Sequence, residues 1–162
     1  VHVRRDLMLL GAKGSHTSGY DVRELIRHIS EKLECASGKN ACIIGFGHTG
    51  RAAFDFFVHD FTPVNIRAIF DSSQKSINKS FEGIPCYSME KLAWVIEEEK
   101  IDLAVFTEAD ENPEATINLL IALGINGIMN LTPVQLYVPE GIHLEEFDMV
   151  TSMIKLAYFS GK

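Results

Sequence analysis

Two periods of hydrophobicity alternate along this chain. Short, nearly continuous apolar runs occur at residues 40–45, 64–70, 101–106 and 125–129. Runs of that length suit strands buried on both faces. Between them, at 49–59, 88–100 and 113–123, apolar residues recur at helical spacing. Ser88 stands at a cap position, with Leu92, Ala93 and Ile96 inward and Glu97, Glu98 and Glu99 outward; Pro113 opens the next helix and Gly124 stops it. Strand and helix in this alternation predict an α/β fold, a doubly wound parallel sheet with helices on both faces. Residues 81–86 read as a short connector or edge segment, and 142–147 as a late strand.

The two ends break the alternation. Residues 1–10 place Val3, Leu7 and Leu10 on one helical face, and 11–19 form a Gly/Ser-rich linker. Asp21, with Glu24 three residues on, predicts a capped helix to about residue 34 with Val22, Leu25, Ile26, Ile29 and Leu33 inward. A final helix begins after Asp148. Met149, Val150, Met153, Ile154, Leu156, Ala157, Tyr158 and Phe159 cover most of its circumference, leaving Thr151, Ser152 and Lys155 as a polar edge. So apolar a terminal helix needs cover from two sides, which predicts a homodimer built through it, with exchange of the helix between subunits. The chain thus divides into 1–20, 21–147 and 148–162.

The candidate chemistry lies where the first buried run meets the first helix. Gly45, Phe46, Gly47, His48, Thr49, Gly50 and Arg51 spell G-x-G-x-x-G and its next residue. A strand feeding a glycine turn into a helix N-terminus can hold a pyrophosphate. Gly45 would allow the tight turn, Gly47 the close approach of backbone to phosphate, and Gly50 the packing of helix on strand. Asp71 ends the next strand, 21 residues after Gly50. Its carboxylate suits the two hydroxyls of a ribose and repels a 2′-phosphate, so NAD(H) is expected over NADP. His48 and Arg51 can each contact phosphate or simply face water. The fold class expected is therefore Rossmann-like.

Composition narrows the function. With 162 residues and 46% hydrophobic content, the chain can build one ordinary core. No apolar run is long enough for a membrane span, and no N-terminal signal is visible. Cys35, Cys42 and Cys86 form neither a disulfide framework nor a zinc pattern, so no metal is expected and the default location is the cytoplasm. The net charge is −7, yet residues 1–30 carry five cations against three anions. A basic end on an acidic body hints that this end faces a polyanion. The histidines outside the turn sit in linkers or on polar helix faces, and too little chain follows the last parallel strand to make a substrate domain. Glu108 or Asp110, after the 101–106 strand, could serve as a base, but the pair reads more readily as a solvated acidic loop. The expectation is a chain that reads a cofactor and has no catalytic residue. Val1 in place of Met suggests a piece of a longer protein.

Together these stretches resemble the Rex family of redox-sensing transcriptional repressors. Val3-Arg4-Arg5-Asp6-Leu7 with Gly11 and Gly19-Tyr20 resembles the end of that family's DNA recognition helix and its linker. The glycine turn and Phe70-Asp71 are similar to its NAD site. Gly83-Ile84-Pro85, the stretch from Gly124 to Asn130 with Pro133-Val134, and Val138-Pro139-Glu140-Gly141 follow in order, and Leu156-Ala157-Tyr158-Phe159 resembles the end of its swapped helix. The resemblance implies a homodimeric sensor in which NADH binding releases operator DNA. It implies cofactor contacts from Phe56, Thr107, Asn130 and Pro133 as well as the turn, and a switch and dimer role for Asp148, Tyr158 and Phe159. Arg4 and Arg5 are the DNA-binding remnant, with operator binding only where a complete winged helix is present. Two departures stand out. Glu108-Ala109 replaces a common Val-Pro, placing an acid near the expected nicotinamide pocket, and Phe56 replaces a tyrosine. A stand-alone CoA- or nucleotide-binding module and a small NAD-dependent oxidoreductase are the alternatives.

Overall fold

The computed structural model describes residues 5, 7–8, 19–32, 38–59, 64–108 and 112–161, the side chains of 28–32 excepted. The chain divides into two compact units, Val1–Lys39 and Asn40–Lys162.

In the first unit Arg5, Leu7 and Met8 are helical, with Arg5 and Met8 exposed. Arg4 and the linker 11–18 lie outside the described residues. Helix α1 (Val22–Lys32) follows Asp21. The Asp21 Oδ1 accepts from the Arg23 and Glu24 amides at 2.8 and 3.0 Å, so the expected cap is present. Of the expected inward face, Val22 and Ile26 are exposed and Leu25 is half-buried, while the Ile29 side chain and Leu33 lie outside the described residues.

The second unit carries a seven-stranded sheet. Its strands are β1 (Lys39–Ile44), β2 (Val64–Asp71), β3 (Ser80–Phe81), β4 (Ile84–Ser88), β5 (Leu103–Phe106), β6 (Gly127–Asn130) and β7 (His143–Glu146), in the spatial order β3-β4-β2-β1-β5-β6-β7. The pairs β2·β4, β1·β5, β5·β6 and β6·β7 are parallel, and β3 adds to β4 antiparallel as a short edge. From β1 the chain builds outward to β2 and β4, then returns to β1's other side to lay down β5, β6 and β7. The strand order therefore reverses between β1 and β5, and ligands of such sheets bind outside the carboxyl ends at that reversal.

Successive residues of β1 point to opposite faces, as the strand period demands. Ala41 and Ile43 join one core with Ala53 and Phe54 of helix α2 (His48–His59). Cys42 and Ile44 join the other, with Leu92, Val95 and Ile96 of α3 (Leu92–Glu98) and Ile117 and Leu120 of α4 (Pro113–Ala122). The doubly wound expectation holds, with helices on both faces.

Three local expectations are corrected. Of the stretch 81–86, read as a connector or edge segment, the edge reading holds for β3, but residues 84–88 form a strand inside that edge: β4 pairs with β2 in the register Ile69↔Cys86, Phe70↔Tyr87 and Asp71↔Ser88. Its short length and Pro85 hid a strand of the parallel sheet. Ser88 makes no side-chain cap; a 3₁₀ turn over Met89–Lys91 precedes α3, which shifts the phase of the helix, so that Val95 is buried and Ala93 exposed. Glu99 is only half-exposed, because it pairs with Arg67 across 3.1 Å.

Helix α5 (Met149–Ser160) has no buried residue. Met149, Val150, Met153, Ile154, Leu156, Tyr158 and Phe159 are all at least 60% exposed.

Candidate functional site

The site is built around one carbonyl oxygen. Gly45 leaves β1 with φ +90°, a conformation open chiefly to glycine, and its N–H donates to the Phe70 carbonyl at 2.8 Å. Its own carbonyl is clasped from two sides. The Thr107 hydroxyl, at the end of β5, donates to it across 2.8 Å and lies 3.1 Å from the Ile44 carbonyl. Gly50, in the first turn of α2, packs against it so closely that a Cβ there would overlap the oxygen and lie 2.9 Å from Thr107 Oγ1. The expected division of labour among the glycines is thus visible: Gly45 turns the chain, and Gly50 brings helix onto strand.

Phe46 is buried, while His48 and Arg51 are exposed and Thr49 is half-buried. The Arg51 guanidinium does not hang free. It lies over the Phe46 ring at 4.6 Å and the Phe81 ring at 5.3 Å, and those two rings are 4.5 Å apart. This holds a cation beside the first turn of α2, where backbone N–H groups lack intrahelical partners and the helix dipole favours an anion.

Asp71 is only 5% exposed, and its Oδ1 accepts from the Ser73 amide at 3.3 Å. With Ile44, Gly45, Phe70, Ser72, Met89 and Glu108 it lines an open cavity of about 100 Å³. Ser72, next to Asp71 in the chain, was overlooked in the sequence; Met89 and Phe81 were hidden because only the pairing of β4 with β2, and of β3 with β4, carries them to this edge.

A second cleft, of about 270 Å³, lies at the carboxyl ends of β6 and β7. Asn130, Thr132, Pro133, Val134, Gln135, Glu146 and Asp148 line it. Asn130, Pro133 and Asp148, three of the residues expected in the site, are brought together there. Asn130 is buried and organises the loop: its Oδ1 accepts from the Thr132 amide at 3.0 Å and the Thr132 hydroxyl at 2.8 Å, and its Nδ2 donates to the Val134 carbonyl at 2.7 Å. Phe56 is 66% exposed and outside the lining of both clefts.

Asp148 caps α5, accepting from the Val150 and Thr151 amides at 2.9 and 3.0 Å and from the Thr151 hydroxyl. The hydroxyl bond, then the amide bonds and the Lys155 charge, hold its carboxyl below the ordinary range. Burial pushes the Cys42 thiol up to about 12. It pushes Cys86 up to about 11, with the Asp71 charge adding to the rise and Arg51 opposing it. Both thiols are core groups without nucleophilic character. No group of three or more metal-ligating side chains occurs among the described residues.

Residues 36–134 match the family described as the CoA binding domain, and the chain belongs to that domain family. The chain is also 32% identical to the redox-sensing transcriptional repressor Rex of Levilactobacillus brevis, over 97% of this chain and 74% of the relative. This chain is a Rex-family protein. The Rex likeness extends to solved structures. RSP, a Rex-family repressor, in complex with β-NADH superposes with a TM-score of 0.75 at 25% identity, over 97% of this chain and 73% of RSP. RSP in complex with β-NAD⁺ and operator DNA superposes with a TM-score of 0.78 at 26% identity, over 98% and 73%. The Rex-family relatives are named as transcriptional repressors, not as enzymes.

Proposed function

We propose that this chain is the sensing part of a repressor that reads the NADH/NAD⁺ ratio, NADH binding being the signal that releases operator DNA. The observation that carries the reading is the glycine turn at the strand-order reversal with Asp71 buried at the end of the adjacent strand. Gly45, Phe46, Gly47, His48, Thr49, Gly50 and Arg51 would hold the pyrophosphate, Asp71 the adenosine ribose, and Thr107 the shape of the turn. The second cleft, with Asn130, Pro133 and Asp148, lies on the side of the sheet where the other mononucleotide half belongs. Phe56 is assigned there only through the family resemblance. The bound cofactor supplies a nicotinamide that is cationic when oxidised and neutral when reduced. A site that closes better on one form converts redox state into a shift between two conformations.

In this reading residues 1–20 correspond to the end of a recognition helix, with Arg4 and Arg5, and its linker. Residues 21–147 form the dinucleotide domain, and 148–162 the helix through which two subunits join, with Asp148, Tyr158 and Phe159 at the switch. Operator binding belongs to a chain with a complete winged helix. In this reading the protein works in the cytoplasm and catalyses no reaction, in keeping with Rex-family relatives that are named as transcriptional repressors.

Titration of the chain with NADH, NAD⁺, NADPH and CoA tests this reading. Tight NADH binding, at least tenfold weaker NAD⁺ binding and little binding of NADPH are expected. The match of residues 36–134 to the CoA binding domain supports a second reading, a CoA module, and a preference for CoA over NADH would replace the first with it.

A further inference from the structure

Glu108 stands where a pyrophosphate has to pass. It follows Thr107 at the carboxyl end of β5, and its backbone and Cβ press on the turn, the latter 2.5 Å from where a Cβ on Gly45 would stand. Its side chain then reaches over the middle glycine. Oε2 lies 3.4 Å from the position of a Cβ on Gly47, and Oε1 lies 4.0 Å from it. In a G-x-G-x-x-G turn that face is bare so that the backbone can approach the phosphates. Here a carboxylate covers it. The same side chain lines the cavity with Asp71, and that cavity of about 100 Å³ is small against the roughly 300–1,000 Å³ of a ligand pocket.

We propose that Glu108 is a tethered competitor for the phosphates of the ligand: its carboxylate holds the anion position above the turn, and a dinucleotide binds by displacing it. The proposal rests on the dinucleotide reading above and adds what sets the threshold of that site. The N–H groups and dipole of α2 favour any anion placed at its N-terminus. An anion fixed to the neighbouring loop competes there at a millimolar effective concentration. It lowers the affinity of every ligand that presents a phosphate to Gly47 and leaves a ligand without one untouched. The roles of the two carboxylates in the cavity thereby separate. Asp71 accepts from hydroxyls, and Glu108 opposes phosphates.

Calorimetric titration of the wild-type chain, Glu108→Gln and Glu108→Ala with ADP-ribose, NADH and adenosine tests this. Both substitutions remove the charge, and the first keeps the shape. Affinity for ADP-ribose and NADH is expected to rise about tenfold in both variants, with adenosine unchanged and the gain shrinking at high salt. Equal or weaker binding of ADP-ribose by the variants overturns the proposal while the dinucleotide reading stands. An equal gain for adenosine also overturns it, since Glu108 would then merely fill space. If all three proteins fail to bind both NADH and ADP-ribose, the dinucleotide reading falls and this proposal with it.

Discussion

Thr107 holds the site together more than it lines it. Its N–H donates to the Ile44 carbonyl at 3.0 Å and its hydroxyl to the Gly45 carbonyl at 2.8 Å, so one residue fastens the end of β5 to the end of β1. It is 7% exposed, and water has little access to replace the hydroxyl. Thr107→Val keeps the shape and leaves the Gly45 carbonyl without that donor. The expected loss is about 1–3 kcal/mol of unfolding free energy, the cost of an unmet buried acceptor. NADH affinity should fall as well, because the turn loses a restraint, and Thr107→Ser should recover most of both. Urea denaturation of the three proteins measures the first effect. A valine variant as stable as the wild type would show that the hydroxyl does not fasten the strands. The resemblance alone would have made Thr107 a ligand contact. Its hydrogen bonds give it a structural duty that the sequence could not display, since its two acceptors lie more than 60 residues away.

Among the elements, α5 depends most visibly on one group. Asp148 caps it with bonds to two amides and a hydroxyl, and those bonds depress its carboxyl. A carboxyl lower in the folded helix than in the unfolded chain stabilises the helix at pH above its unfolded value, about 3.9, and that contribution is lost as the pH falls through the lower folded value. The Thr151 amide resonance of the wild type should therefore titrate below pH 3.9, in step with loss of helical signal from α5. Asp148→Asn, a neutral cap, should show no such step. A step near or above 3.9 in the wild type would contradict the depression. This cap was legible in the sequence because a cap and its helix are neighbours. The glycine turn, Asp71 and the parallel strands were legible for the same reason: each signal sits within a short window. Residues 84–88 were not, because a five-residue strand containing proline is recognised only by its pairing with β2. Nor was the phase of α3, which the 3₁₀ turn at Met89–Lys91 resets.

At the scale of the molecule, the question is what α5 does with its apolar surface. Seven large apolar side chains stand at least 60% exposed on one twelve-residue helix. Burying such a side chain fully is worth about 1.5–3 kcal/mol, so an uncovered helix of this kind is a strong drive to associate. Its root, Asp148, also lines the second cleft with Asn130 and Pro133. A ligand half seated there would touch the residue that fixes where α5 begins, which gives the proposed sensor a short route from cofactor to subunit arrangement. Among the described residues nothing buries α5, and in the proposed dimer it adds stability through the second subunit. The thermal midpoint of the wild type is therefore expected to rise with protein concentration. Leu156→Asp combined with Tyr158→Asp should give a monomer by light scattering, with a midpoint independent of concentration and an unchanged far-UV spectrum for the sheet. A double variant that stays dimeric would move the interface elsewhere. A wild type that is monomeric at all concentrations would leave α5 without the role proposed for it, and would remove dimer rearrangement as the way in which cofactor binding reaches DNA.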